Sequence, residues 1–206
     1  MCIRDSDITA FINATGSDLR HFCLNFSDPY RTDFVNPIKP EYVPNTSYAR
    51  EYAVSIVANL TKESIKNPDF WSRSATDVLT ACIWYLREEH PEICDIPHVL
   101  AMVGSNGTAL LNTLQKNIIT EQMVRSVYDA LQRGADNQVS GVLGTLQGAV
   151  AQINTPEMMW VFSRDGCPLD LNDPEAPAVL TVATNPTTVQ TLSPLCSLVI
   201  TVATKL

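Results

Sequence analysis

Uninterrupted apolar runs are short throughout these 206 residues. None reaches the ~18 that a membrane-spanning helix requires, so no such span is expected and this stretch reads as soluble. The nearest approach, TLSPLCSLVITVATKL at residues 191–206, is shorter and studded with Ser and Thr. Basic residues are also few, 14 Lys and Arg against 22 Asp and Glu, for a net charge of −8. That balance excludes a chain whose whole surface grips nucleic acid, because neutralising phosphates needs clustered cations; any DNA contact must be local. Histidine is limited to His21, His90 and His98, too dispersed to form a ligand set. The six cysteines (Cys2, Cys23, Cys82, Cys94, Cys167 and Cys196) show neither CxxC nor zinc-ligand spacing. They read as reduced, buried thiols of a cytosolic compartment, and no metal site is assigned. The phosphate loop GxxxxGK[ST], the dinucleotide fingerprint GxGxxG, HExxH and GxSxG are all missing, so no catalytic residue is assigned. Five Asn-x-Ser/Thr triplets, at Asn13, Asn25, Asn45, Asn59 and Asn106, lack a signal peptide or a cysteine framework beside them and read as chance.

What is present begins with MCIRDS, which carries no signal-peptide build and no periodicity linking it to DITAFINATG. It resembles the translated end of a transposase adapter, so Met1 to Ser6 are expected to be foreign and the chain a piece of something longer; a short disordered native terminus is the alternative. HFCLNF alternates apolar residues at Phe22, Leu24 and Phe26 and breaks at Asp28-Pro29, as a strand leaving into a proline-rich loop does. NTSYAREYAVSIVANL reads as an amphipathic helix capped by Thr46 or Ser47.

After the Asn67-Pro68 break the text is helical for some ninety residues. FWSRSATDVLTACIWYLREEH carries a capping-box-like Ser74 and Asp77 and is apolar on nearly all sides from Val78 to Leu86, which predicts a central, buried helix ended by Pro91. DIPHVLAMVG offers Asp95 as cap, Pro97 in the first turn and Gly104 as stop. TALLNTLQKN comes next, then TEQMVRSVYDALQRG, with Met123, Val124, Val127, Tyr128 and Leu131 on one face and Gly134 behind it. NQVSGVLGTLQGAVAQIN places Gly141, Gly144 and Gly148 beside its apolar stripe, so that helix is expected to abut something. MMWVF and APAVLTVAT read as strands, the second in the manner of a buried parallel sheet, and NPTTVQTLSPL as a loop feeding a helix with Pro194 in its first turn. The order of sheet element, helical block and sheet element predicts an α/β fold interrupted by an all-α insertion.

Candidate binding residues are sparse. Lys116, Arg125 and Arg133 in the helical block are the candidates for DNA phosphates. Asn185, Thr187 and Thr188, in the loop beyond the second apolar strand, are where a ligand of an open α/β sheet binds. The carboxylates of REEH (Arg87 to His90) and LNDPE (Leu171 to Glu175) read as solvated.

LNFSDPYRTDFVNPI, then NPDFWSRSATDVLTACIWYL with Trp71 and Ala75 as W-x-x-x-A, then CPLDLNDPEAPAVLTVATNPTTVQTLSPLCSLVITVATKL resemble, in that order, the TraG/TraD-type coupling proteins of conjugative type IV secretion. The resemblance covers Leu24 to Leu206. It implies part of a RecA-like P-loop NTPase domain interrupted by an all-α domain: residues 7–67 and 156–206 in the nucleotide domain, 68–155 in the all-α domain. It further implies a hexameric motor at the cytoplasmic face of the bacterial inner membrane, fuelled by ATP with Mg2+, which receives relaxase-bound DNA and passes it to the secretion channel. The phosphate loop is expected upstream and the acidic strand downstream, so no cofactor site and no ATP hydrolysis are expected of this segment alone. The alternatives are a stand-alone helical interaction module and, resting only on the glycosylation triplets, a secreted enzyme.

Overall fold

A computed structural model describes residues 3–16, 18–26, 28–60, 70–183 and 189–206. In chain order its elements are α1 (Ile3–Thr15), β1 (Arg20–Asn25), α2 (Thr46–Leu60), α3 (Phe70–Glu89), α4 (Ile96–Val103), α5 (Gly107–Leu114), α6 (Ile118–Gln132), α7 (Asp136–Ala151), α8 (Pro156–Phe162), β2 (Ala178–Ala183) and α9 (Val189–Ala203). The core is organised around α3, where every residue from Val78 to Leu86 is buried. With apolar residues on all sides, α3 has no face to give to water and packs against α2, α4, α6 and α7. Two of its buried hydroxyls are satisfied within the helix: Thr76 donates to the Ser72 carbonyl at 2.8 Å and Thr80 to that of Thr76 at 2.7 Å.

The two strands pair in parallel, Arg20 opposite Ala178 through to Asn25 opposite Ala183, although the whole helical block lies between them in sequence. The far edge of β1 is covered by the loop that leaves it. Cys23 N–H donates to the Asp33 carboxylate at 2.7 Å, Asn25 N–H to the Thr32 hydroxyl at 3.0 Å, and Asp33 N–H returns to the Cys23 carbonyl at 2.8 Å. Two tyrosines tie this side to the helices. Buried Tyr52 of α2 donates its hydroxyl to the Tyr42 carbonyl at 2.8 Å, and the Tyr42 hydroxyl accepts the Leu169 N–H at 2.9 Å.

Several local expectations are met. Asp95 caps α4 by accepting the His98 N–H, Pro97 sits in the first turn and Gly104 ends the helix. Gly134, with φ 69°, closes α6 in the left-handed conformation that glycine adopts without strain.

Others are corrected. MMWVF is not a strand: it lies in α8, with Thr155 as cap, Pro156 at the first turn, and Met158, Val161 and Phe162 buried at helical spacing. The cap of α2 is supplied by Asn45, whose side-chain oxygen accepts the N–H groups of Ser47 and Tyr48, one residue ahead of the expected Thr46 or Ser47. Ser74 and Asp77 form no capping box. Both lie beyond the first turn of α3, where Ser74 is buried and Asp77 pairs with Arg50 of α2 at 2.6 Å. Pro194 falls inside α9, which already begins at Val189. Of the three α7 glycines only Gly141 is closely packed; Gly144 and Gly148 face open space. Apart from these, α1 begins at Ile3, and its residues from Asp7 onward are mostly exposed.

Candidate functional site

Parallel pairing sets the carboxyl ends of β1 and β2 side by side, Asn25 beside Ala183, at one end of the sheet. That is where ligands of open α/β sheets bind. Asn185, Thr187 and Thr188 lie outside the described residues. On the β1 side the loop is held by its own carboxylates: Asp28 accepts the Tyr30 N–H and pairs loosely with Arg31 at 3.9 Å, while Asp33 serves the strand backbone.

Lys116, Arg125 and Arg133 are all exposed, but they string out along α6 rather than gather. Lys116 precedes the helix, Arg125 sits in its middle and Arg133 lies just past its end, a spread of about 25 Å at helical rise. Arg125 is already engaged by Glu121 at 3.0 Å, and exposed Asp129 lies one turn from both Arg125 and Arg133. The surface of α6 is therefore mixed in sign, and Lys116 beside the exposed Ile118 is its most cationic point.

The histidines remain apart. His21 bridges Thr9 and Thr181, His90 faces Glu92 at 3.7 Å, and His98 contacts its cap Asp95 at 2.7 Å. Among the described residues no three His, Cys, Asp or Glu side chains converge as metal ligands. Cys82, Cys94, Cys167 and Cys196 are free and buried, and burial pushes the first three thiols up to about 12 and Cys196 to about 11. They are protonated and poorly nucleophilic at neutral pH. In REEH, Glu88, Glu89 and His90 are exposed and Arg87 is half-buried. Arg87 donates to the Val43 carbonyl at 3.1 Å and lies 5.0 Å from the Trp84 ring, while Glu89 accepts from Asn117 at 2.7 Å. In LNDPE, Asp173 caps its own turn through the Glu175 N–H.

The concavities among the described residues include two beside α5. An apolar groove of about 430 Å3 runs between α4 and α5, floored by Leu86 and Leu110 and edged by Met102 and His98. A more polar cleft of about 330 Å3 lies between the start of α5 and α7, where Gly107 packs so tightly on Leu143 that a Cβ there would lie 2.3 Å from a leucine methyl.

Comparison with known proteins places this architecture. No curated protein matches the chain. Among solved structures, the bacterial conjugative coupling protein TrwBΔN70 in its unbound monoclinic form superposes with a TM-score of 0.63 at 18% identity, over 89% of this chain and 39% of that one. TrwB in complex with ADP and Mg2+ gives 0.62 at 18% identity over 89% and 40%, and TrwB with the non-hydrolysable GTP analogue GDPNP gives 0.63 at 18% over 90% and 40%. The fold is thus shared, and the chain spans about two fifths of the length of those proteins. The sequence profile of type IV secretory system conjugative DNA transfer matches residues 13–206, nearly the whole length, and on that match the chain belongs to the conjugative DNA-transfer family of type IV secretion coupling proteins.

Proposed function

We propose that this chain is a segment of a conjugative coupling protein, a hexameric motor that receives relaxase-bound DNA at the bacterial inner membrane and delivers it to the secretion channel. In this reading residues 7–67 and 156–206 belong to a RecA-like nucleotide domain and residues 68–155 to an all-α domain set into it, with Met1 to Ser6 foreign. The observation that carries the reading is the parallel pairing of β1 with β2 across the intervening helices: a sheet whose strands come from the two ends of the chain is what an inserted helical domain requires. Family membership over residues 13–206 supports it.

TrwB is known in complexes with ADP and Mg2+ and with GDPNP, and by analogy the whole protein uses ATP and Mg2+. The described residues do not fit such a group by themselves. The sequence lacks the Gly-rich phosphate loop with its lysine, and no acidic cluster among the described residues would hold the metal. No step of hydrolysis is therefore assigned to residues of this segment. Its own contribution is docking, through the α4–α5 groove, the cationic points Lys116, Arg125 and Arg133, and Asn185, Thr187 and Thr188 beyond β2.

The test is to sequence the source DNA outward from both ends of the reading frame. A GxxxxGK[ST] motif upstream and an apolar strand ending in Asp-Glu downstream are expected. A native start near Asp7 and a stop after Leu206 would overturn the motor reading and leave a helical interaction module, which the α4–α5 groove favours as the second choice.

A further inference from the structure

One surface cluster is absorbed neither by the core nor by the sites above. Phe34, from the loop after β1, and Trp160, from α8, lie with ring centroids 5.6 Å apart and planes inclined by 60°. The guanidinium of Arg164 sits over both, 4.9 Å from the Phe34 centroid and 5.2 Å from that of Trp160. Trp160 is 46% exposed and Arg164 is exposed. Arg164 makes no ion pair among the described residues, because the adjacent carboxylate, Asp165, is engaged by Lys39 at 3.0 Å.

The backbone beneath is fixed. Val35 N–H donates to the Val161 carbonyl at 3.0 Å and Cys167 N–H to the Phe34 carbonyl at 2.7 Å, so the two segments are zipped on both sides of the rings. Gly166 permits this approach, since a Cβ there would lie 3.2 Å from the Phe34 carbonyl oxygen.

The chemistry of such a cluster is specific. Aromatic rings hold a guanidinium by their faces but accept none of its in-plane hydrogen bonds, so the donor fork stays available for an anion with two oxygens. The half-exposed indole beside that fork offers aromatic surface on which a base can stack. Stacking platforms next to cations are how single strands are bound without sequence preference. An acidic peptide would use the fork but leave the indole idle.

We propose that Phe34, Trp160 and Arg164 form a contact site for single-stranded nucleic acid, with Arg164 taking a backbone phosphate and Trp160 stacking on the adjoining base. The choice of nucleic acid rests in part on membership of a DNA-transfer family, and the site itself on the geometry. Exposed Glu157, one turn before Trp160 on α8, opposes the phosphate and keeps the site weak.

The test uses the purified chain and a fluorescein-labelled oligo-dT of about 20 nucleotides, longer than the site of one small binding fold, read by anisotropy across a salt series. R164A is expected to weaken binding several-fold and to flatten the slope of log affinity against log salt by about 0.7, the value for one single-strand phosphate. R164K should recover the slope but not the affinity. W160A should weaken binding about tenfold, within the range for one stacked base, W160F less, and E157Q should tighten it. All three positions are on the surface, and unchanged thermal unfolding of each variant verifies the fold. Unaltered oligo-dT binding by R164A and W160A overturns the proposal, as does no binding by the parent chain, or loss in R164A of binding to a poly-glutamate peptide that competes equally with oligo-dT. The readout is the affinity of this chain, so an overturned motor reading from outward sequencing leaves it interpretable.

Discussion

Gly141 and Trp71 make a pair whose energetics can be worked from the structure. The Trp71 ring lies against α7 so closely that a Cβ on Gly141 would sit 2.6 Å from Cζ3 and 3.1 Å from both Cε3 and Cη2. Ordinary carbon contacts are about 3.5–4.0 Å, so alanine there forces the indole outward by roughly 1 Å. Glycine inside a helix costs about 1 kcal/mol relative to alanine, so G141A gains that much in propensity. Against it stands the overpacking of a rigid ring, typically about 1–3 kcal/mol. Net destabilisation of about 1 kcal/mol is expected.

Gly144, on the same helix, meets nothing within 4 Å, so G144A should stabilise by the full propensity difference of about 1 kcal/mol. Removing the ring changes the sign at Gly141: in a W71A background, G141A should stabilise by about 1 kcal/mol, a coupling of about 2 kcal/mol across the cycle. Urea unfolding of the four chains of the cycle, with G144A beside them, measures all these quantities. If G141A stabilises the Trp71 chain as much as G144A does, the ring does not bear on the glycine and the packing argument fails.

Two further predictions concern the tyrosine ties and the thiols. Y52F leaves the Tyr42 carbonyl without its buried donor and should cost about 1–3 kcal/mol, seen as a fall in Tm of about 2–4 °C per kcal/mol for a chain of this size; an unchanged Tm refutes the assignment. Alkaline pH should destabilise the fold steeply, because burial holds Tyr52, Cys82, Cys94 and Cys167 at about 12 and Cys196 at about 11, against ordinary values of 10.0 and 9.0. The unfolded chain then loses protons first, so this contribution is whole below pH 9 and disappears as pH rises through 12. Denaturation midpoints from pH 8 to 11 should fall, and a flat profile contradicts the burial of these groups.

Local chemistry was legible in the sequence where a few adjacent residues decide the outcome. Asp95, Pro97 and Gly104 bound α4 because cap, first-turn proline and terminal glycine act within one short segment. The apolar run from Val78 to Leu86 announces a buried helix because no polar face is left for solvent. MMWVF misled because a run this short fits either period; the signal that decides it, Thr155-Pro156-Glu157 as a helix start, lies just before it. Ser74 and Asp77 looked like a capping box because the true partner of Asp77, Arg50, is on another helix. The same holds for surfaces: Trp160 and Arg164 are four residues apart, but Phe34, which joins them, is far away in sequence, whereas Lys116, Arg125 and Arg133 were visible as basic residues but not as a chain of cations interleaved with Glu121 and Asp129.

The strand pair has a consequence for how the chain reaches its structure. β1 finds β2 only after roughly 150 residues have been gathered between them. Closing so long a loop costs about 2 kcal/mol more than closing a ten-residue hairpin, and contacts of such separation form late because their entropy is lost before they return anything. The helices from α3 to α7 are joined by short turns and have partners close by in sequence, so they can gather first. The six-residue sheet then acts as a latch: its register reports that everything between its strands is already in place, and a fault anywhere in the helical block is felt first as a sheet that does not close.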